Sequence, residues 1–156
     1  MKRVTTVLAR TALVLALGAG LPLVSSQAAQ AWPAQCLNGE NGFRDMPDNA
    51  SGRYAVGFQV QTGAKPTYFS IQYGAPYGPA IGWAKIDGAT SPGDRFWMDW
   101  TRDDRRTWIQ CGPFSPSGYS LSATTPAQLT STNSNWKFRV CGSVSGDATV
   151  RCSDWW

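Results

Sequence analysis

The sequence predicts an all-β fold: an antiparallel sandwich or barrel of about seven to eight short strands, with Greek-key connections compatible, held by two disulfides. Three observations lead there. Several segments alternate apolar and polar residues with period two, the pattern of half-buried strands. Gly and Pro clusters punctuate those segments at short intervals. The aromatic content is high, with eight Trp, five Tyr and six Phe in 156 residues. Aromatic side chains favour strands and bury large areas. Beyond residue 31 the only leucines are Leu37, Leu121 and Leu129, so the core must be built from rings.

The first 31 residues are set apart. Lys2, Arg3 and Arg10 form a positive head, and "TALVLALGAGLPLV" (Thr11 to Val24) is an apolar stretch broken by Pro22. Ala29-Gln30-Ala31 fits a small-x-small cleavage site, so residues 1–31 read as a secretory signal peptide and 32–156 as one secreted domain. The apolar stretch is too short and interrupted for a membrane span. Its three cations belong to a total of 14 Lys and Arg against 10 Asp and Glu. Their removal leaves a nearly neutral chain, which argues against a nucleic-acid partner.

Along the domain, "RYAVGFQVQ" (Arg53 to Gln61) places Tyr54, Val56, Phe58 and Val60 on one face. "TGAKP" turns the chain, and "TYFSIQY" returns with Phe69, Ile71 and Tyr73 on one side, completing a hairpin. "IGWAKI" (Ile81 to Ile86) is a short strand. "RFWMDWT" sets Phe96, Met98 and Trp100 against Trp97, Asp99 and Thr101, and "TWIQCG" answers it. Residues Tyr119 to Ala123 suggest a weak strand, and Pro126 to Thr130 a short helix. "WKFRVC" and "TVRC" form the last pair.

Four cysteines in an exported chain imply two disulfides. If a four-residue loop at Ser145 to Ala148 pairs Val144 with Thr149, Cys141 falls opposite Cys152, within disulfide reach. Cys36–Cys111 follows by elimination and would tie down the N-terminal segment. The wide cysteine spacings lack a zinc pattern, and the chain has no histidine. Histidine-based acid–base catalysis and nearly every catalytic zinc site are thereby excluded. No residue pattern asks for a cofactor or a metal. Adjacent Asp103 and Asp104 with Asp94 lack the spaced oxygen ligands of a calcium site. Asp99 and Asp103 are the one pair to weigh as glycosidase carboxylates, against solvated or turn-capping roles.

"WTRDDRRTW" (Trp100 to Trp108) poses the choice between a charged catalytic loop and a hairpin tip. Thr101, Asp103, Thr107 and Trp108 resemble the Asp box, Ser-x-Asp-x-Gly-x-Thr-Trp, with Arg105 at the glycine position. The resemblance covers eight residues. It implies a hairpin turn in which the Asp accepts backbone hydrogen bonds and Trp108 is buried beneath. Separately, if Thr101 opposes Thr107, Trp100 opposes Trp108 on the same face. In sialidases such boxes lie away from the catalytic site, so the resemblance implies a turn and no enzyme. More broadly, the chain resembles small exported β-proteins of Gram-positive actinobacteria, a likeness that carries no activity.

Tyr68, Tyr73, Tyr77 and Trp83 surround "QYGAPYGPAIGW", and Trp155 and Trp156 end the chain. These six are the candidate binding residues, since exposed rings stack on flat apolar ligand faces. The expected function is a secreted, monomeric, non-catalytic binding domain for a polysaccharide or protein. The alternatives are an inhibitor of extracellular enzymes and a histidine-free hydrolase.

Overall fold

Two antiparallel sheets face one another in a computed structural model that describes residues 35–74 and 80–156. The leader read at 1–31 and Tyr77 lie outside the described residues. The first sheet is a meander of β1 (Arg53–Gln61), β2 (Pro66–Gly74) and β3 (Ile81–Gly88), closed along β3 by the two-residue strands β6 (Ala123–Thr124) and β7 (Gln128–Leu129). The second runs β5-β4-β8-β9, comprising β4 (Arg95–Thr101), β5 (Ile109–Phe114), β8 (Lys137–Val144) and β9 (Asp147–Cys152). Among the described residues no closed barrel forms, so the sandwich is the member of the expected pair that fits.

Phe69, Ile71, Ala84, Ile86, Phe96, Met98, Trp100, Phe138 and Val140 fill the space between the sheets. Phe58 stacks on Phe69 at 4.7 Å, and Phe43 meets Trp100 edge-on at 5.7 Å. These are the geometries that the ring quadrupole favours. Cys36 is bonded to Cys111 and Cys141 to Cys152. The first bridge fastens the segment carrying Phe43 to the second sheet.

Several local expectations change. A bulge between Tyr54 and Val56 turns Tyr54 out of the core, because an extra residue reverses the alternation. Residues Pro126 to Thr130 are not helical. Thr125 N–H donates to Ala84 O at 2.9 Å, while Thr125 Oγ1 accepts from Ala84 N–H at 3.0 Å. Pro126 then breaks the pairing, having no N–H of its own, and β7 resumes it. The weak strand expected at Tyr119 to Ala123 shrinks to Ala123, paired with Ile86. The last hairpin turns at Ser145 and Gly146 and pairs Val144 with Asp147, not Thr149. A register shift between Gly142 and Val144 then restores Cys141 opposite Cys152.

Trp83 is wholly buried, at 0% exposure, and is withdrawn as a ligand-stacking residue. It points to the outer face of β3, where the segment before β1 covers it with Met46 and Ala50. Lys85 anchors that segment by donating to Ala50 O at 2.9 Å and Ser51 Oγ at 3.2 Å. Asp94 is structural too. Its carboxylate accepts from Ser91 N–H at 2.8 Å and Ser145 N–H at 2.7 Å, joining two turns.

Candidate functional site

The charged tip is a hydrogen-bonded turn. Asp103 Oδ1 accepts from Thr107 N–H at 2.9 Å and Thr101 Oγ1 at 2.8 Å, and Oδ2 accepts from Thr107 Oγ1 at 2.7 Å. Thr101 Oγ1 in turn accepts from the N–H groups of Asp103 and Arg105, each at 3.2 Å. Donors directed at the ionised carboxylate, the Thr107 N–H foremost, lower the Asp103 pKa to about 2. Arg105 has φ 71°, the left-handed region that suits glycine.

Trp108 departs from expectation. Trp100 pairs with Ile109 rather than Trp108, so Trp108 faces outward and is only half-buried. On that outer face Arg139 lies 5.5 Å from the Trp108 ring and 4.5 Å from the Trp155 ring. Arg139 also holds the buried Asp99, with Nε at 2.8 Å and Nη2 at 2.7 Å from Oδ2. Asp99 is therefore neither solvated nor a turn cap. Burial raises its pKa, against the opposing pull of the Arg139 guanidinium and a hydrogen bond from the Trp97 side chain. The Cys141 sulfur, 3.7 Å from Oδ2, is in a disulfide and offers no proton.

The two terminal tryptophans follow from strand pairing. Trp156 N–H donates to Phe138 O at 2.9 Å, and Phe138 N–H returns a 2.9 Å bond to Trp156 O. The chain thus continues along β8 beyond β9, and successive side chains take opposite faces. Trp155 packs outward with Trp108, and Trp156 stacks on Tyr73 at 4.8 Å. Tyr73 and Trp156 so bridge the two sheets, with Trp156 still 38% exposed.

Tyr68 stands elsewhere, on the outer face of the meander, where a groove of about 360 Å³ is open to solvent. Strand register orders the outer face around it into three cross-strand rows, of which Lys85 and Trp83 are covered members that do not line the groove. Gln59, Tyr68 and Asp87 form one; Gly57, Ser70 and Lys85 the next; Tyr54, Gln72 and Trp83 the third. Tyr54 is 65% exposed and Tyr68 44%, so both rings are available. They are two rows apart, roughly 13 Å by strand rise, more than one sugar ring spans. Small residues floor the space between them. Gly57 must remain glycine, because a Cβ there would lie 2.2 Å from Phe69 O. Gln72 is fixed by accepting from Gly52 N–H at 2.9 Å and donating to Ser70 Oγ at 3.3 Å.

The binding candidates therefore do not converge. Tyr68 lines the groove, Tyr73, Trp155 and Trp156 pack on the chain itself, and Trp83 is buried. Sequence reasoning missed Tyr54, Gly57, Gln59, Ser70, Gln72 and Asp87. A glycine inside a strand was the available signal, since it marks a bulge or close backbone approach. Chemically the groove offers two rings, two amides, a hydroxyl and one carboxylate. It lacks the second carboxylate of a glycosidase pair. Compared with protein-family models, curated proteins and solved structures, the chain matches none.

Proposed function

We propose that the chain is a secreted, non-catalytic carbohydrate-binding domain that receives a polysaccharide in the groove between Tyr54 and Tyr68. The single observation behind this reading is the pair of exposed rings flanking a trough with a glycine floor. Rings of this kind supply apolar faces for pyranose stacking, and the fixed Gln72 amide supplies orientation. Catalysis fits less well. Asp99 is occupied by Arg139 and Asp103 by its turn, so neither is free for proton transfer. Affinity electrophoresis against a panel of soluble polysaccharides tests the reading. Tyr54→Ala and Tyr68→Ala should each weaken binding by about tenfold, corresponding to roughly 1.4 kcal/mol, with unchanged thermal unfolding. Absence of retardation by every polysaccharide would overturn it.

One observation favours an inhibitor instead. Tyr119, 77% exposed, and Leu121 project from the connection between β5 and β6. That loop is pinned by Ser120 N–H to Thr90 O at 2.9 Å and Thr90 Oγ1 to Leu121 O at 2.7 Å. Inhibition of an extracellular protease, lost in Tyr119→Ala, would support that alternative.

A further inference from the structure

We infer that the groove selects glycans bearing free amines over their N-acetylated and uronic-acid counterparts, with Asp87 receiving the ammonium group. This rests on the carbohydrate reading above and specifies the ligand class. Asp87 lies directly opposite Tyr68 in the β2–β3 register. Side chains so placed have Cβ atoms about 4.5–5.5 Å apart. A sugar stacked on Tyr68 therefore holds its ring substituents within reach of the carboxylate.

The charge at this end of the groove is unbalanced. Lys85 is one row from Asp87 on the same strand face and would be its natural counterion. Its ammonium is instead buried against Ala50 O and Ser51 Oγ, committed to the segment covering Trp83. Arg53 and Lys65, at the two ends of the first hairpin, do not line the groove. Among the described residues Asp87 enters none of the ion pairs, and the groove has no other charged lining residue. An ammonium on the ligand gains a charge-assisted hydrogen bond to Asp87 and an attraction to the neighbouring Tyr68 face. An N-acetyl group offers no charge. A uronate adds like-charge repulsion.

The test uses oligomers of glucosamine, of N-acetylglucosamine and of galacturonic acid, titrated into the protein by calorimetry at low ionic strength. Glucosamine oligomers should bind about threefold to fivefold more tightly than N-acetylglucosamine oligomers, the span of an exposed ion pair. The preference should shrink as salt is added. Asp87→Asn and Asp87→Ser should each bring the ratio to about one while retaining binding. Asp154→Asn, an exposed carboxylate near the C-terminus, should leave the ratio unchanged. Equal affinity for amine and N-acetyl oligomers in the native protein would overturn this inference and leave the carbohydrate reading standing. A preference that survives Asp87→Asn, that is lost in Asp154→Asn, or that favours the uronate would also overturn it. No binding of any of the three, together with no retardation by any polysaccharide, would remove the carbohydrate reading itself.

Discussion

The Arg139 guanidinium grips the buried Asp99 carboxylate at 2.7 Å while its other face lies against the Trp155 ring at 4.5 Å. One side chain thus neutralises a charge inside the second sheet and seats the end of the chain. Arg139→Met should cost about 3–5 kcal/mol in urea unfolding, because it strands a buried charge. Adding Asp99→Leu should recover a large part of that loss. A cost below about 1 kcal/mol for the single variant would show that Asp99 needs no counterion.

The acidic limb of the stability profile has a defined sign. Asp103 and Asp147 each have a folded-state pKa of about 2, below the unfolded value of 3.8. For Asp147 the donors are led by the Thr149 side chain, followed by its backbone and Arg151. Both groups bind protons less readily when folded, so their stabilisation is present above pH 3.8 and is lost as pH falls toward 2. Asp99, raised by burial, has the opposite sign and loses stability as pH rises through its folded-state value. Urea midpoints measured between these pH values should fall less steeply in Asp103→Ala than in the native protein. Parallel profiles would contradict the turn assignment.

Two glycines in the first hairpin should respond oppositely to a methyl group. Gly57→Ala places a Cβ 2.2 Å from Phe69 O and should destabilise by about 1–3 kcal/mol, as overpacking does. At Gly63 nothing lies within 4 Å, and its φ is not in the left-handed region, so Gly63→Ala should be neutral or slightly stabilising. Calorimetric unfolding of the two variants checks both. Equal effects would mean that the strands separate to admit a side chain.

Removing the disulfides singly should rank them by span. The Cys36–Cys111 bridge spans 75 residues and Cys141–Cys152 spans 11. Loop-closure entropy gives about 4.5 kcal/mol for the first and about 2.8 for the second in the chain-entropy model. Paired Cys→Ser variants, compared by urea unfolding, should show the larger loss for the long bridge. The reverse order would mean that the short bridge's hold on β9 and the C-terminal segment outweighs loop closure.

The sequence by itself determined the fold class, because period-two alternation and Gly/Pro turns depend only on neighbours along the chain. It likewise determined the inward faces of β2 and β4, which carry Phe69, Ile71, Phe96, Met98 and Trp100. The hydrogen-bonding residues of the Thr101–Thr107 turn were legible for the same reason, since every contact there spans four residues or fewer. Tertiary structure alone decided the groove. A bulge at the start of β1 moved Tyr54 from the core to the surface, and alternation counted along one strand cannot register an extra residue opposite its partner. Trp83 was lost from the candidates because a segment more than thirty residues earlier covers β3 and draws Lys85 with it. Asp87 gained its place from pairing across three strands, a relation between residues that are distant in sequence and meet only when the sheet forms.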